Sequence, residues 1–306
     1  MVMLERLSLN NMNIFKELYN KNFEEASYNK DFFRCYEEQN FLIKYIYRKF
    51  IRLIKVDNNY IGYIWYEGGY GQYIKIWALY IDVDFKDLIN YSTLSYFDKN
   101  ILCYEEFDSL RTNILLNKLG FSKENYTLLL KMNITNYNYN VLQMQLENEK
   151  QNSLKYNMNI DNYADVSIRN LNIGKDEILR CNIQNDIFAQ LDRKPLNVDD
   201  IYADMTQDYF IQDLCFLGIH NNDYIGYGQI IFNRNMYTIV NFGIVAKYRG
   251  KGLSKIFLSK IVDAAKNYGI EELFIRVDST NLKAINLYKW IGFKEVNKIL
   301  VWERKV

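Results

Sequence analysis

The most regular stretch of the chain begins at Leu253. From there Leu253, Ile256, Phe257, Ile261, Ala264, Ala265 and Tyr268 recur at three- and four-residue spacing. That spacing lines one face of a helix, and Gly269 supplies its stop. Around it the period shortens to that of strands. Val166-Ser167-Ile168-Arg169 reads as a first strand, Leu214–Ile219 and Tyr224–Phe232 as a hairpin, and Tyr237–Val245 as a β-rich run. Helical segments run from about Lys175 towards Met205, interrupted near Pro195. Leu273–Val277 is the next strand, a helix holding Tyr288 follows, and Phe293–Trp302 supplies one or two closing strands. The second half thus reads β, α, β, β, β, α, β, α, β.

The same pattern occurs twice. Asp57-Asn58-Asn59-Tyr60-Ile61-Gly62-Tyr63 recurs as Asn221-Asn222-Asp223-Tyr224-Ile225-Gly226-Tyr227, in both places a polar turn between two apolar runs. Farther on, Ser109 to Phe121 parallels Asn281 to Phe293, each a short amphipathic helix ending in Gly before a strand. Two matches in one order argue for two copies of one fold. Gly62 and Gly120 are 58 positions apart, Gly226 and Gly292 66, so the first copy is 8 residues shorter in this segment. The polar stretch from Asn136 to Asp165, where apolar periodicity fades, is read as the boundary between domains 1–140 and 160–306.

Length and composition agree with two ordinary domains. The chain has 306 residues, 49% apolar and 25% charged, enough for about 150 residues per domain. Its 38 basic and 37 acidic side chains leave a formal charge of +1 and no electrostatic footprint for nucleic acid. Cys35, Cys103, Cys181 and Cys215 are scattered without metal-ligand spacing, and His220 is the single histidine, so no metal site is expected. Neither a signal peptide in Met1–Arg6 nor a membrane span is expected, which predicts a cytoplasmic protein with no membrane partner. The oligomeric state is left open.

The segment with specific chemistry is Arg249-Gly250-Lys251-Gly252-Leu253-Ser254, between a strand and a helix. A helix N-terminus leaves backbone N–H groups unpaired and carries partial positive charge, so it binds phosphate oxygens. Gly250 and Gly252 lack the Cβ that blocks close approach and accept positive φ. Arg249, Lys251 and Lys255 add charge. A diphosphate-containing ligand follows. The segment lacks the Gly-Lys-Ser/Thr ending of a Walker loop and the opening βαβ unit of a dinucleotide fold.

Phe242 to Phe293 resembles the core of the GNAT superfamily of N-acetyltransferases. The family's loop, Gln/Arg-x-x-Gly-x-Gly/Ala, is matched by Arg249, Gly252 and, imperfectly, Ser254. Its downstream signature is matched by Asn281, Tyr288, Gly292 and Phe293. The resemblance implies two tandem α/β (α+β) domains, each a mixed, mostly antiparallel sheet flanked by helices. It implies acetyl-CoA as co-substrate, with backbone of Phe242, Gly243 and Ile244 on its pantetheine arm and polarising the acetyl carbonyl. Backbone N–H groups of Gly250, Lys251, Gly252, Leu253, Ser254 and Lys255 would hold the pyrophosphate, with Arg249 in the same loop. Asn281 would contact the cofactor and Tyr288 would protonate the departing thiolate. Many relatives carry a Glu five positions before the Asn, where this chain has Arg276. Asp278 on the same strand face is read as an ion-pair partner of Arg276 or a helix cap, so no general base is assigned.

The first copy lacks this chemistry. Ser109 stands for Asn281 and Leu116 for Tyr288, and no glycine occurs between Phe85 and Gly120. Asp82, Asp84 and Asp87 would repel a pyrophosphate there, so this copy is read as non-catalytic. Gly68-Gly69-Tyr70-Gly71 reads as a hairpin turn. Asp199, Asp200, Asp204, Asp208 and Asp213 read as a solvated helix face or as an attraction for a cationic amine. The leading expectation is an N-acetyltransferase acting on a primary amine of a small molecule. A protein N-terminal or lysine acetyltransferase and a non-enzymatic acyl-CoA-binding sensor are the alternatives.

Overall fold

The repeated polar turns fold as tight corners, because Asp57, Asn221 and Asn222 adopt left-handed backbone at φ 53°, 51° and 65°, a conformation that Asn and Asp tolerate. The structure, a computed structural model, describes residues 2–22, 31–37, 39–67, 72–154, 166–189, 194–233 and 235–305. The Gly68–Gly71 cluster and residues 155–165 of the expected boundary lie outside them. The chain opens with β1 (Val2–Arg6), α1 (Met12–Asn22), α2 (Phe32–Glu37) and α3 (Phe41–Lys49). Next come β2 (Ile51–Val56), β3 (Asn59–Tyr66), β4 (Tyr73–Ile81), β5 (Ile101–Phe107), α4 (Leu110–Lys118) and β6 (Ser122–Asn133). Then follow α5 (Tyr139–Leu154), β7 (Val166–Asn170), α6 (Glu177–Ile187), α7 (Val198–Met205), β8 (Cys215–His220) and β9 (Asp223–Asn233). The last elements are β10 (Met236–Ile244), α8 (Leu253–Asn267), β11 (Glu272–Asp278), α9 (Leu282–Ile291) and β12 (Lys294–Arg304).

Compactness divides the chain into one unit of Met1–Leu128 with Asn297–Val306 and a second of Leu129–Val296. Each is a mixed, mostly antiparallel sheet flanked by helices, as the sequence predicts. In the first unit β1, β2, β3 and β4 pair antiparallel in order, β4 pairs parallel with β5, and β5 antiparallel with β12. Side-chain alternation gives this sheet two apolar faces. Leu53, Tyr63, Trp65 and Ala78 pack against Phe15 and Tyr19 of α1 and Phe32 of α2. On the other face Ile54, Ile64 and Leu79 gather with Leu94, Phe97, Leu116 and Trp302.

The second unit contains the end of β6, next to β11, then β10, β9, β8 and β7. β10 and β11 pair in parallel and β9, β8 and β7 follow β10 antiparallel; a parallel pair needs a long crossover, which α8 supplies. Gly218 and Gly228 make room for α8: a Cβ there would sit 3.1 Å from the Phe257 ring and 2.7 Å from Ile261 Cδ1. Leu217 and Tyr227 point to the opposite face and meet Ile183 of α6. In the first unit the crossover from β4 to β5 is only two 3₁₀ segments, Val83–Phe85 and Tyr91–Phe97. The missing residues of the first copy are therefore those of the crossover helix.

Part of the polar stretch expected as a boundary is the helix α5. Few apolar residues mark it in sequence. Leu142 is buried, the Tyr137 hydroxyl just before the helix donates to the Ser259 carbonyl (3.2 Å), and Lys266 Nζ donates to the Tyr137 carbonyl (2.6 Å).

The last strand is fastened deep in the first unit. Trp302 and Arg304 are fully buried. Arg304 donates from Nε to the Leu119 carbonyl (3.0 Å), pairs with Asp98 (2.8 Å) and lies 4.1 Å over the Tyr91 ring. Trp302→Ala is therefore expected to destabilise the first unit by about 3–5 kcal/mol. Denaturant unfolding followed by circular dichroism checks this; an unchanged midpoint would contradict the core position of Trp302.

Candidate active site

The geometry begins with a bulge. β10 pairs with β11 only from Tyr237–Ile239 to Leu273–Ile275. Its register with β9 then shifts between Val240 and Gly243, and Asn241 takes φ 53°. An extra residue in one strand bends it, so Phe242–Ile244 run past the end of the parallel ladder. Gly243 is required by packing, since a Cβ there would lie 2.2 Å from Ile187 Cγ2. The parted strands open a groove of about 600 Å³.

A polar network that sequence reading missed holds the bulge. Arg180 of α6 is 1% exposed; its Nε donates to Gln184 Oε1 (3.0 Å) and Nη2 to Gln229 Oε1 (3.1 Å), and it forms an ion pair with Asp204 of α7. The Tyr227 hydroxyl and Asn241 Nδ2 also donate to Gln229 Oε1, at 2.8 and 3.4 Å. Tyr209 donates to Asp204 Oδ1 (2.7 Å). Burial pushes the Tyr227 and Tyr209 phenols up, in Tyr209 with help from the Asp204 hydrogen bond. The five aspartates thus do not act as one acidic face. Asp204 joins this network, and Asp200 closes a capping box with Asn197 at the start of α7.

After β10 the chain makes one 3₁₀ turn, Ala246–Tyr248, and enters the glycine loop. Gly250 and Gly252 stand at φ 77° and 79°, which explains both glycines. Gly252 is the N-cap of α8 and offers no side-chain oxygen to its first N–H groups. Those donors and the helix dipole face an anion by default.

The loop's three cations have different surroundings. Arg249 turns inward: its Nε donates to the Ile244 carbonyl (2.9 Å) and its Nη2 to the Ile187 carbonyl at the end of α6 (2.7 Å). It braces the loop against β10 and α6. Lys251 and Lys255 are not among the groove's lining residues; their ammonium groups lie 5.3 Å from the Tyr248 ring and 4.1 Å from the Trp290 ring.

Phe242, Gly243, Ile244, Arg249, Gly250, Gly252, Leu253, Ser254, Asn281 and Tyr288 all line the groove. Asn281 caps α9, its side chain accepting from the Ala284 N–H (3.1 Å). Tyr288 is 7% exposed, beside Phe242 (6.4 Å between ring centroids) and Phe293 (6.3 Å). Burial pushes its phenol up to about 12, so it keeps its proton at neutral pH. The sequence did not point to Ile187, Phe188 and Ala189, which also line the groove. Ala284 was legible in principle, lying one turn before Tyr288 on the same helix face, and Lys283 and Leu287 form the adjoining stripe. No Asp, Glu or His lines the groove among the described residues, and Asp278 accepts from Thr280 at the turn before α9. Nor do three metal-ligating side chains gather anywhere among them. No described helix is long and apolar enough to cross a membrane.

Residues 184–293 match the Acetyltransferase (GNAT) family. The thialysine N-epsilon-acetyltransferase of Mus musculus is 30% identical over 84 residues, 26% of this chain and 49% of that protein. The [ribosomal protein bS18]-alanine N-acetyltransferase of Haemophilus influenzae is 34% identical over 79 residues, 26% of this chain and 53% of that protein. The chain thus spans about half the length of these curated relatives. Among solved structures, an acetyltransferase of the GNAT family from Colwellia psychrerythraea superposes with TM-score 0.62 at 12% identity, over 100% of both chains. A tandem GNAT protein from the clavulanic acid biosynthesis pathway gives 0.61 at 7% identity, covering 99% of this chain and 98% of that one. At such identities the likeness is one of fold.

Two outcomes follow from the geometry. Asp204→Ala leaves the buried Arg180 guanidinium without its counter-ion and is expected to cost about 3–5 kcal/mol in denaturant unfolding. For Tyr288 the folded value lies above the ordinary 10, so its contribution to stability is intact below pH 10 and declines as pH rises towards 12. Thermal unfolding across that range should fall less steeply in Tyr288→Phe than in the wild type.

Proposed function

We propose that this chain, whose residues 184–293 form a GNAT-family acetyltransferase domain, transfers the acetyl group of acetyl-CoA to a primary amine of a small molecule. The observation that carries the reading is the parting of β10 and β11 beside the α8 N-terminus, with Tyr288 in the same groove.

Acetyl-CoA supplies the activated acyl group when bound. The backbone of Phe242, Gly243 and Ile244 extends beyond the parallel ladder and suits an amide-bearing arm, as an exposed strand edge suits an added strand. Its N–H groups polarise the acetyl carbonyl, where negative charge develops. N–H groups from Gly250 to Lys255 hold the pyrophosphate, and Asn281 contacts the cofactor from the neighbouring cap. Arg249 acts by holding the loop in place. The amine nitrogen bonds to the carbonyl carbon as the C–S bond breaks; the departing thiolate takes its proton from Tyr288, the amine's surplus proton passes to solvent, and solvent returns a proton to Tyr288. With no carboxylate or imidazole lining the groove among the described residues, the acceptor enters as the neutral amine.

Of the two relatives described above, one is named for thialysine and the other for a ribosomal-protein alanine, so a protein amine is the second reading. Thiol release from acetyl-CoA with a panel of polyamines, amino sugars, amino-acid derivatives and peptides decides between them. Tyr288→Phe is expected to lower kcat by about 10²–10⁴-fold, with the KM for acetyl-CoA little changed. Binding of acetyl-CoA with no thiol release to any amine, and a Tyr288→Phe variant identical to wild type, would leave an acyl-CoA sensor instead.

A further inference from the structure

The first unit keeps a cleft at the place equivalent to the groove of the second, with walls of different chemistry. β4 and β5 pair in parallel only from Tyr73–Ile76 to Ile101–Tyr104, so they too part. A cavity of about 470 Å³ opens there, within the range of small-molecule sites. Sheet register aligns the two clefts: Gly62 pairs with Ile81 as Gly226 pairs with Ile244, which puts Tyr80 where the second unit has Gly243.

Two substitutions between the units change what the cleft can hold. Helices α1 and α6 are both eleven residues long, and their last residues, Asn22 and Ile187, each line the cleft of their own unit. Asn22 is 8% exposed, and its Nδ2 has no hydrogen-bond partner among the described residues. An orphaned buried donor costs stability, and the isoleucine at the equivalent position shows that the fold does not require one. In the same cleft Glu106 is 6% exposed, where the sheet register of the second unit places the buried Val277. Its Oε2 accepts from the Tyr104 hydroxyl and its Oε1 from the Phe107 N–H (2.9 Å). Arg111 lines the same space. A diphosphate has no seat here, because 3₁₀ turns replace the crossover helix and its glycine loop.

We propose that this cleft binds a free α-amino acid with an apolar side chain. The ammonium group pairs with Glu106, the carboxylate takes the donors of Asn22 and Arg111, and the side chain lies among Leu79, Leu115 and Leu116. The inference is independent of the acetyl-transfer reading, since it concerns only the first unit.

The test uses the full chain and saturation-transfer NMR with L-leucine, L-methionine and L-phenylalanine. Controls are L-leucinamide, which lacks the carboxylate, and 4-methylpentanoate, which lacks the ammonium group. At least one amino acid should bind and both controls should fail. Asn22→Leu should weaken binding at least tenfold, keep or raise the ligand-free melting temperature, and leave acetyl-CoA binding unchanged. Glu106→Gln should weaken it as well. The proposal is overturned if none of the three amino acids binds, if binding persists in a folded Asn22→Leu variant, or if acetyl-CoA displaces the amino acid.

Discussion

The second unit depends on the parting of β10 from β11 after Ile239. A strand interior cannot leave its backbone groups unpaired without cost, so two parallel strands separate only where something forces them. Here the force is the bulge at Asn241, whose left-handed backbone turns β10 away while its side chain reaches Gln229. Gln229 in turn is held by the buried Arg180, and Arg180 by Asp204. This network ties α6, α7, β9 and β10 into one frame around the groove. Arg249 adds a second tie, from the glycine loop back to the ends of β10 and α6.

The two units show what happens when this opening is kept and the crossover is changed. In the second, α8 brings a helix N-terminus and two left-handed glycines to the mouth of the parted strands. In the first, two 3₁₀ segments make the same connection, and neither offers a full set of unpaired donors or a helix dipole. The opening survives because the parallel pairing ends early in both sheets. Its lining differs between the units, with Leu116 for Tyr288, Tyr80 for Gly243 and Asn22 for Ile187. The opening belongs to the backbone, and the chemistry of its lining to a few side chains.

Each compact unit also uses a strand from the far end of the sequence order. Trp302 and Arg304 complete the core of the first unit from the end of the chain. In the second, the Ile134 N–H just after β6 donates to the Glu271 carbonyl (2.8 Å), and Lys131 pairs with Glu272 (2.7 Å). Apolar strands that close a sheet are specified by burial and register, which the order of segments along the chain does not reveal.

By itself the sequence determined what depends on neighbours a few residues apart. The α8 stripe, the caps at Asn281 and Asn197, the left-handed turns and the glycines at 250 and 252 all follow from local spacing and backbone sterics. The repeat and its 8-residue deficit were legible for the same reason. Tertiary structure alone decided where the charged side chains went. Arg249 braces the loop against β10 and α6, Lys251 and Lys255 turn to aromatic rings, and Asp204 is the counter-ion of an arginine 24 residues away. Helix α5, poor in apolar residues, took its place by packing on α8, and Arg304 found the Leu119 carbonyl across 185 residues. A long charged side chain can reach partners in many directions, and only the packed backbone selects among them.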